Sequence, residues 1–208
     1  AELDVDCYKI ASFDLVNLPL IRKVAATQKP MIISTGMSYL SEVQDALMEV
    51  AKCGNPNVIL MQCTSSYPCP PETMNIKAID TMKQAFNDLP VGISDHVIGD
   101  MVSIGAVARG ANIIEKHFTL DKKMEGPDHI LSMLPEEFSN MRERVRIVEK
   151  SLGDGIKQPS SSEVASVIRF RKTMYAKNDI KKGTVLNEND IIYTCLLYTS
   201  DAADEWIG

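Results

Sequence analysis

The chain lacks a basic stripe: 22 Lys and Arg are outnumbered by 28 Asp and Glu, giving a formal charge of −6. A nucleic-acid surface needs clustered cations to displace counterions from phosphates, so this balance argues against that class of partner. A small anionic substrate is not, because the local field decides its binding. No apolar run approaches the roughly 20 residues that cross a bilayer, and the amino terminus lacks the charged-then-apolar order of a secretion signal. A cytoplasmic location without membrane partners is therefore expected. Cysteines are few and odd in number: Cys7, Cys53, Cys63, Cys69 and Cys195 match no close-spaced zinc pattern and are expected as reduced thiols. Cys7 and Cys63 fall in strand-like runs and are expected as small core hydrophobes. No Gly-x-Gly-x-x-Gly follows the first strand candidate, which counts against a dinucleotide fold.

What is present is an ordinary globular composition, 45% hydrophobic and 24% charged, enough for a sizeable core. Short apolar runs at 6–10, 31–34, 58–62, 91–94 and 112–117 alternate with amphipathic stretches at 15–27, 41–53, 75–86, 99–109 and 135–151. Ser41 and Asn75 are expected helix caps, and Gly54 and Gly110 expected helix stops. Such alternation specifies a parallel sheet with right-handed crossovers. The strand-end residues Lys9, Ser34, Cys63, Ser94 and His117 are 25, 29, 31 and 23 residues apart, the interval of successive β/α units. With no dinucleotide fingerprint, a (β/α)8 TIM barrel is the expected architecture. Period-two alternation puts Lys9, Ser34, Cys63, Ser94 with His96, and Glu115 with His117 on one face, with apolar residues beneath them.

Two histidines end successive strand candidates, in Gly92-Ile93-Ser94-Asp95-His96 and Ile113-Ile114-Glu115-Lys116-His117. In a parallel β/α unit both imidazoles emerge at the carboxyl ends of neighbouring strands, where one divalent cation could bridge them. The alternative is a pair of core or hydrogen-bonded histidines.

Five units are not eight, and a barrel short of three strands exposes two edges. The chain also begins at Ala1 rather than Met. It is expected to be an amino-terminally truncated piece, with a partial barrel over 1–152. A linker is expected over 153–168, where Gly153-Asp154-Gly155 and Gln158-Pro159-Ser160-Ser161-Ser162 occur. A further module should span 169–195, with short strands around a turn at Gly183. Residues 196–208, which hold the only tryptophan, Trp206, resemble translated sequencing-adaptor read-through and are expected to be a non-native tail.

Six segments then occur in order: Tyr8-Lys9-Ile10-Ala11-Ser12-Phe13-Asp14, Ser34-Thr35-Gly36-Met37, Gln62-Cys63-Thr64-Ser65-Ser66-Tyr67-Pro68, Gly92-Ile93-Ser94-Asp95-His96, Ile114-Glu115-Lys116-His117-Phe118-Thr119 and Gly126-Pro127-Asp128-His129. Together, over about residues 1–194, they closely resemble the sialic acid synthase family, phosphoenolpyruvate-dependent enzymes that make nine-carbon 2-keto sugar acids. The resemblance implies barrel strands four to eight, then the start of a small antifreeze-like (SAF) domain that reaches over the partner's active site in a homodimer. It also implies that strands one to three would supply a glutamate base and a second lysine, so the fragment alone is expected to be inactive.

Carried over residue by residue, the resemblance implies metal ligation by His96 and His117, with Mn²⁺ as the cofactor and Mg²⁺ or Co²⁺ as alternatives. It implies phosphoenolpyruvate binding by Lys9, Ser12, Ser34, Ser65 and Ser94; at Ser65 the sialic-type enzymes often carry asparagine. Tyr67 and Asp128 would hold the N-acetylhexosamine acceptor, and Glu115 would orient a ligand or pair with Lys9. Each has a plainer alternative: a salt bridge or surface lysine at Lys9, backbone satisfaction by the serines, a turn at Asp128. Asp95 points the other way and is expected to be structural, with Lys116 and His129 as neighbours of the site. Ala11-Ser12-Phe13-Asp14 looks like the pseudaminic and spore-coat branches, whereas Gly126-Pro127-Asp128-His129 looks like the neuraminic and legionaminic ones. N-acetylneuraminate-type synthesis is the reading favoured. A pseudaminic or legionaminic acid synthase, a metal-dependent hydrolase, and a non-catalytic sugar-binding or spore-coat assembly protein are the alternatives.

Overall fold

A computed structural model describes residues 5–87 and 89–195. It divides into two compact units, Ala1–Gly153 and Asp154–Gly208. In the first, β1 (Tyr8–Ile10), β2 (Met31–Ser34), β3 (Val58–Cys63), β4 (Val91–Asp95) and β5 (Ile114–Lys116) form one sheet in chain order. Every pairing is parallel. The crossovers carry α1 (Leu18–Ala25), α2 (Leu40–Lys52), α3 (Ala78–Ala85) and α4 (Met101–Ala108), and α5 (Pro135–Ser151) follows β5. No helix among the described residues is long and apolar enough to cross a membrane.

The sheet curls. Four spacings of about 4.8 Å would put β1 and β5 about 19 Å apart in a flat sheet, farther than a lysine and a glutamate reach together. Yet Lys9 Nζ on β1 lies 3.5 Å from a Glu115 carboxylate oxygen on β5. The five strands therefore form a half-barrel whose concave face collects one side chain in two from each strand.

Register decides which side chains meet there. Lys9 is level with Ile32 and Ile32 with Ile59; Ser34 with Met61 and Met61 with Gly92; Cys63 with Ser94 and Ser94 with Glu115. The polar residues thus crown a floor of Ile32, Ile59 and Met61, as the alternation predicts. Gly92 is required in that floor, since a Cβ would lie 2.6 Å from both Met61 Sδ and the Ile113 carbonyl oxygen. The intervening residues, Ile10, Met31, Ile33, Val58, Leu60, Val91 and Ile93, join the main core with Ile21, Val24, Val43, Val50, Ile79 and Ala106 of the helices. Each fully buried aliphatic side chain contributes about 1.5–3 kcal/mol, so the convex face is where the fold's stability resides.

Local chemistry sets the element ends. Helix α1 begins later than its apolar pattern because the Asn17 side chain accepts from Leu20 N–H at 3.3 Å, with Pro19 in the first turn. Two expected caps are corrected. Ser41 lies inside α2, which starts where the Glu42 carboxylate accepts the Tyr39 N–H at 2.7 Å. Asn75 takes a left-handed φ of +47° ahead of the helix, and Lys77 is the N-cap of α3. Gly54 and Gly110, at φ of +69° and +85°, do end helices. Cys7 is exposed, because β1 starts one residue after it.

In the second unit a 3-10 turn at Ser161–Glu163 leads into α6 (Val164–Phe170), so much of the segment expected as a linker is helical. Strand β6 (Thr173–Ala176) pairs antiparallel with β7 (Ile191–Thr194). Gly183, at φ of +92°, lies in the connection between them. The expected non-native tail, 196–208, lies outside the described residues.

Candidate active site

The carboxyl ends of the strands enclose a pocket of about 260 Å³ lined by Lys9, Ser12, Ser34, Ser65, Tyr67, Ser94, His96, Glu115 and His117, with Ala11, Phe13, Met37 and Cys63. Nine of the ten residues singled out from the sequence are thereby brought together. The tenth, Asp128, approaches from the loop after β5, its Oδ2 3.8 Å from His117 Nδ1.

On the lysine side, Lys9 Nζ donates to Ser34 Oγ at 2.7 Å and pairs with Glu115. Ser94 Oγ donates to the other Glu115 oxygen at 2.6 Å. Ser12 and Ser65 close over Gly36. A Cβ on Gly36 would lie 2.8 Å from Ser12 Oγ and 2.7 Å from Ser65 Oγ, so only glycine lets both hydroxyls approach. The Gly36 N–H donates to Ser12 Oγ at 3.1 Å. One ammonium and four hydroxyls therefore face a common space, and Glu115 supplies their internal counter-charge.

On the histidine side, the rings of His96 and His117 lie 5.3 Å apart between centroids at 71°, and Tyr67 stacks on His96 at 4.1 Å. His96 Nδ1 is 2.9 Å from the Thr64 carbonyl oxygen. A carbonyl only accepts, so Nδ1 donates there, and Nε2, 3.5 Å from Ser94 Oγ, is the nitrogen directed into the pocket. Burial holds His117 below its ordinary pKa, against the Asp128 charge, which pulls the other way; the net lowering favours the neutral ring, the form able to bind a metal. Burial, aided by the negative charges of its neighbours, raises the Tyr67 phenol, which stays protonated as a donor. Among the described residues no group of three or more His, Cys, Asp or Glu is placed to hold a metal ion, so two neighbouring imidazoles are the donors a divalent cation could use here, a number suited to an exchangeable ion.

Asp128 serves its turn as well, its carbonyl accepting Ser132 Oγ at 2.7 Å. His129 turns away to Thr119 Oγ1 at 2.7 Å, a neighbour rather than a member. Cys63 is buried, as expected of a small core residue, and it also lines the pocket, 3.6 Å from Ser12 Oγ. Its place at a strand end was the available signal. The Thr64 carbonyl, a backbone atom, has no signature in side-chain identity.

The NeuB family profile matches residues 1–157. The chain belongs to the NeuB family. Among relatives of this NeuB chain, an N,N'-diacetyllegionaminic acid synthase of Campylobacter jejuni is 44% identical over 192 residues, covering 91% of this chain and 57% of that protein. The human N-acetylneuraminate-9-phosphate synthase is 39% identical over 185 residues, covering 89% and 51%. A crystal structure of N-acetylneuraminic acid (sialic acid) synthetase from Leptospira borgpetersenii, in complex with citrate, superposes with a TM-score of 0.74 at 36% identity, over 79% of this chain and 57% of that one. The chain spans about half the length of the curated relatives it matches.

Proposed function

We propose that the whole protein condenses phosphoenolpyruvate with an N-acetylated aldose, of the N-acetylmannosamine type, to give an N-acetylneuraminate-type 2-keto sugar acid and phosphate. The observation that carries this reading is the single pocket in which a lysine, four serines and two facing imidazoles converge. A phosphate-bearing enol acid needs a cation and several neutral donors, and an aldehyde acceptor needs a Lewis acid beside them.

Lys9 Nζ and the hydroxyls of Ser12, Ser34, Ser65 and Ser94 hold the phosphate and carboxylate. Glu115 orients Lys9 and Ser94. His96 through Nε2, with His117, would hold a divalent cation, Mn²⁺ or alternatively Mg²⁺ or Co²⁺. When bound there, such an ion stabilises negative charge developing on the aldehyde oxygen. Tyr67, protonated, donates to the acceptor, and Asp128 accepts from its hydroxyls. C3 of phosphoenolpyruvate bonds to the aldehyde carbon, water adds at C2, and the C2–O bond to phosphate breaks. Holding both reactants in one pocket converts an encounter of two substrates into a positioned reaction. The unit after Asp154 would begin an antifreeze-like domain that covers a partner's site in a homodimer.

Phosphate release from phosphoenolpyruvate and N-acetylmannosamine tests the proposal. Chelation, His96→Ala or His117→Ala should abolish release, with Mn²⁺ restoring the chelated protein alone. Undiminished release after chelation would remove the metal role, and sugar binding without phosphoenolpyruvate consumption would favour a coat-assembly protein. A second reading, synthesis of N,N'-diacetyllegionaminic acid, is favoured by the higher identity to that synthase; kcat/KM compared between the two acceptors decides it.

A further inference from the structure

His96 and His117 are each preceded by a charged residue, Asp95 and Lys116, which strand alternation turns away from the pocket. These two are level with each other across β4 and β5. Their side chains form an ion pair of 2.9 Å at 0% and 1% exposure. The carboxylate is fully engaged: Ser103 Oγ donates to Oδ2 at 2.6 Å and Val97 N–H donates to Oδ1 at 2.9 Å. Lys116 Nζ also donates to the Val97 carbonyl. Both polar groups of the Val97 backbone are thus held by the pair, so the turn that carries His96 is clamped to the strand end that carries His117.

A buried ion pair is a poor way to add stability, since an apolar pair of similar volume often serves as well or better. Its distinctive property is that it tolerates one geometry. We infer that the Asp95–Lys116 pair is a positioning element that fixes how the two imidazoles face each other, and through them the affinity of the site for a divalent cation. The inference rests on the reading of His96 and His117 as cation ligands.

Titration with Mn²⁺, followed by the loss of the free-ion paramagnetic resonance signal and paired with a thermal melt, tests it in the whole protein. Asp95→Leu/Lys116→Met removes both charges together. Ser103→Ala only loosens the carboxylate, and this milder variant decides the matter if the double variant fails to melt cooperatively. Folded variants should bind Mn²⁺ more weakly, the double variant by roughly 10- to 100-fold, the usual cost of losing the groups that orient metal ligands. A merely structural pair would shift the melt and leave Mn²⁺ affinity alone, and folded variants that bind like the parent overturn the inference. A parent that binds no Mn²⁺, or whose binding survives His96→Ala, overturns the metal reading itself.

Discussion

Gly36 shows how much one missing carbon decides. Ser12 and Ser65 occupy the space its Cβ would take, so Gly36→Ala must push at least one hydroxyl out of the anion pocket. A hydrogen bond to a charged group contributes about 1.5–3 kcal/mol, so phosphoenolpyruvate affinity should fall on the order of tenfold or more. The fold should hold, because the three atoms nearest the added carbon, Ser65 Oγ, Ser12 Oγ and Ser12 Cβ, all belong to side chains. Isothermal titration of the variant with phosphoenolpyruvate checks this; parent-like affinity would mean that neither hydroxyl touches the ligand. Lys9, Ser34, Ser94, His96, Glu115 and His117 were legible from period-two alternation and spacing, whereas Ser12 and Ser65 lie past the ends of β1 and β3 and were reached only through the family resemblance. At Cys63 burial and pocket lining coexist, as its inward strand-end position allows. The Val97 clamp was hidden because it runs through backbone atoms.

Among the elements, α1 and α2 are joined by charge as well as by packing. Glu49 of α2 is buried, pairing with Arg22 of α1 at 2.7 Å and with Lys52 at 2.6 Å. The hydrogen bond from Lys52, then that from Arg22, hold its carboxyl below the ordinary 4.5. Because the folded value is the lower one, the contribution is complete above pH 4.5 and is lost as pH falls through the folded value. The thermal midpoint of the parent should therefore drop more steeply below pH 4.5 than that of Glu49→Gln, and parallel profiles would contradict the assignment. Element types and order followed from periodicity, and α5 keeps the expected limits of 135–151. The expected Ser41 and Asn75 caps did not, because the Glu42 carboxylate takes the Tyr39 N–H ahead of Ser41 and the left-handed turn at Asn75 leaves Lys77 as the N-cap of α3.

At the scale of the whole molecule, β1 and β5 each have one neighbour in the five-stranded sheet, and their outer backbone groups offer templates for pairing. The 208-residue chain expressed alone should self-associate with rising concentration, seen as a growing mass in size-exclusion chromatography with light scattering. A monomer that melts cooperatively at all concentrations would refute this. The sheet's curl was foreseen only as membership of a barrel, since alternation specifies faces and not the angle between neighbouring strands.

The contact from Lys9 to Glu115 has a consequence for selectivity. An anion bound as proposed would not enter an open positive well; it would take the ammonium away from a carboxylate already in place. Monoanions such as chloride gain little from that exchange, whereas a phosphate ester brings enough charge and enough acceptor oxygens to win it. Under the proposed reading, the internal rival would work as a threshold that turns small monoanions away from the pocket.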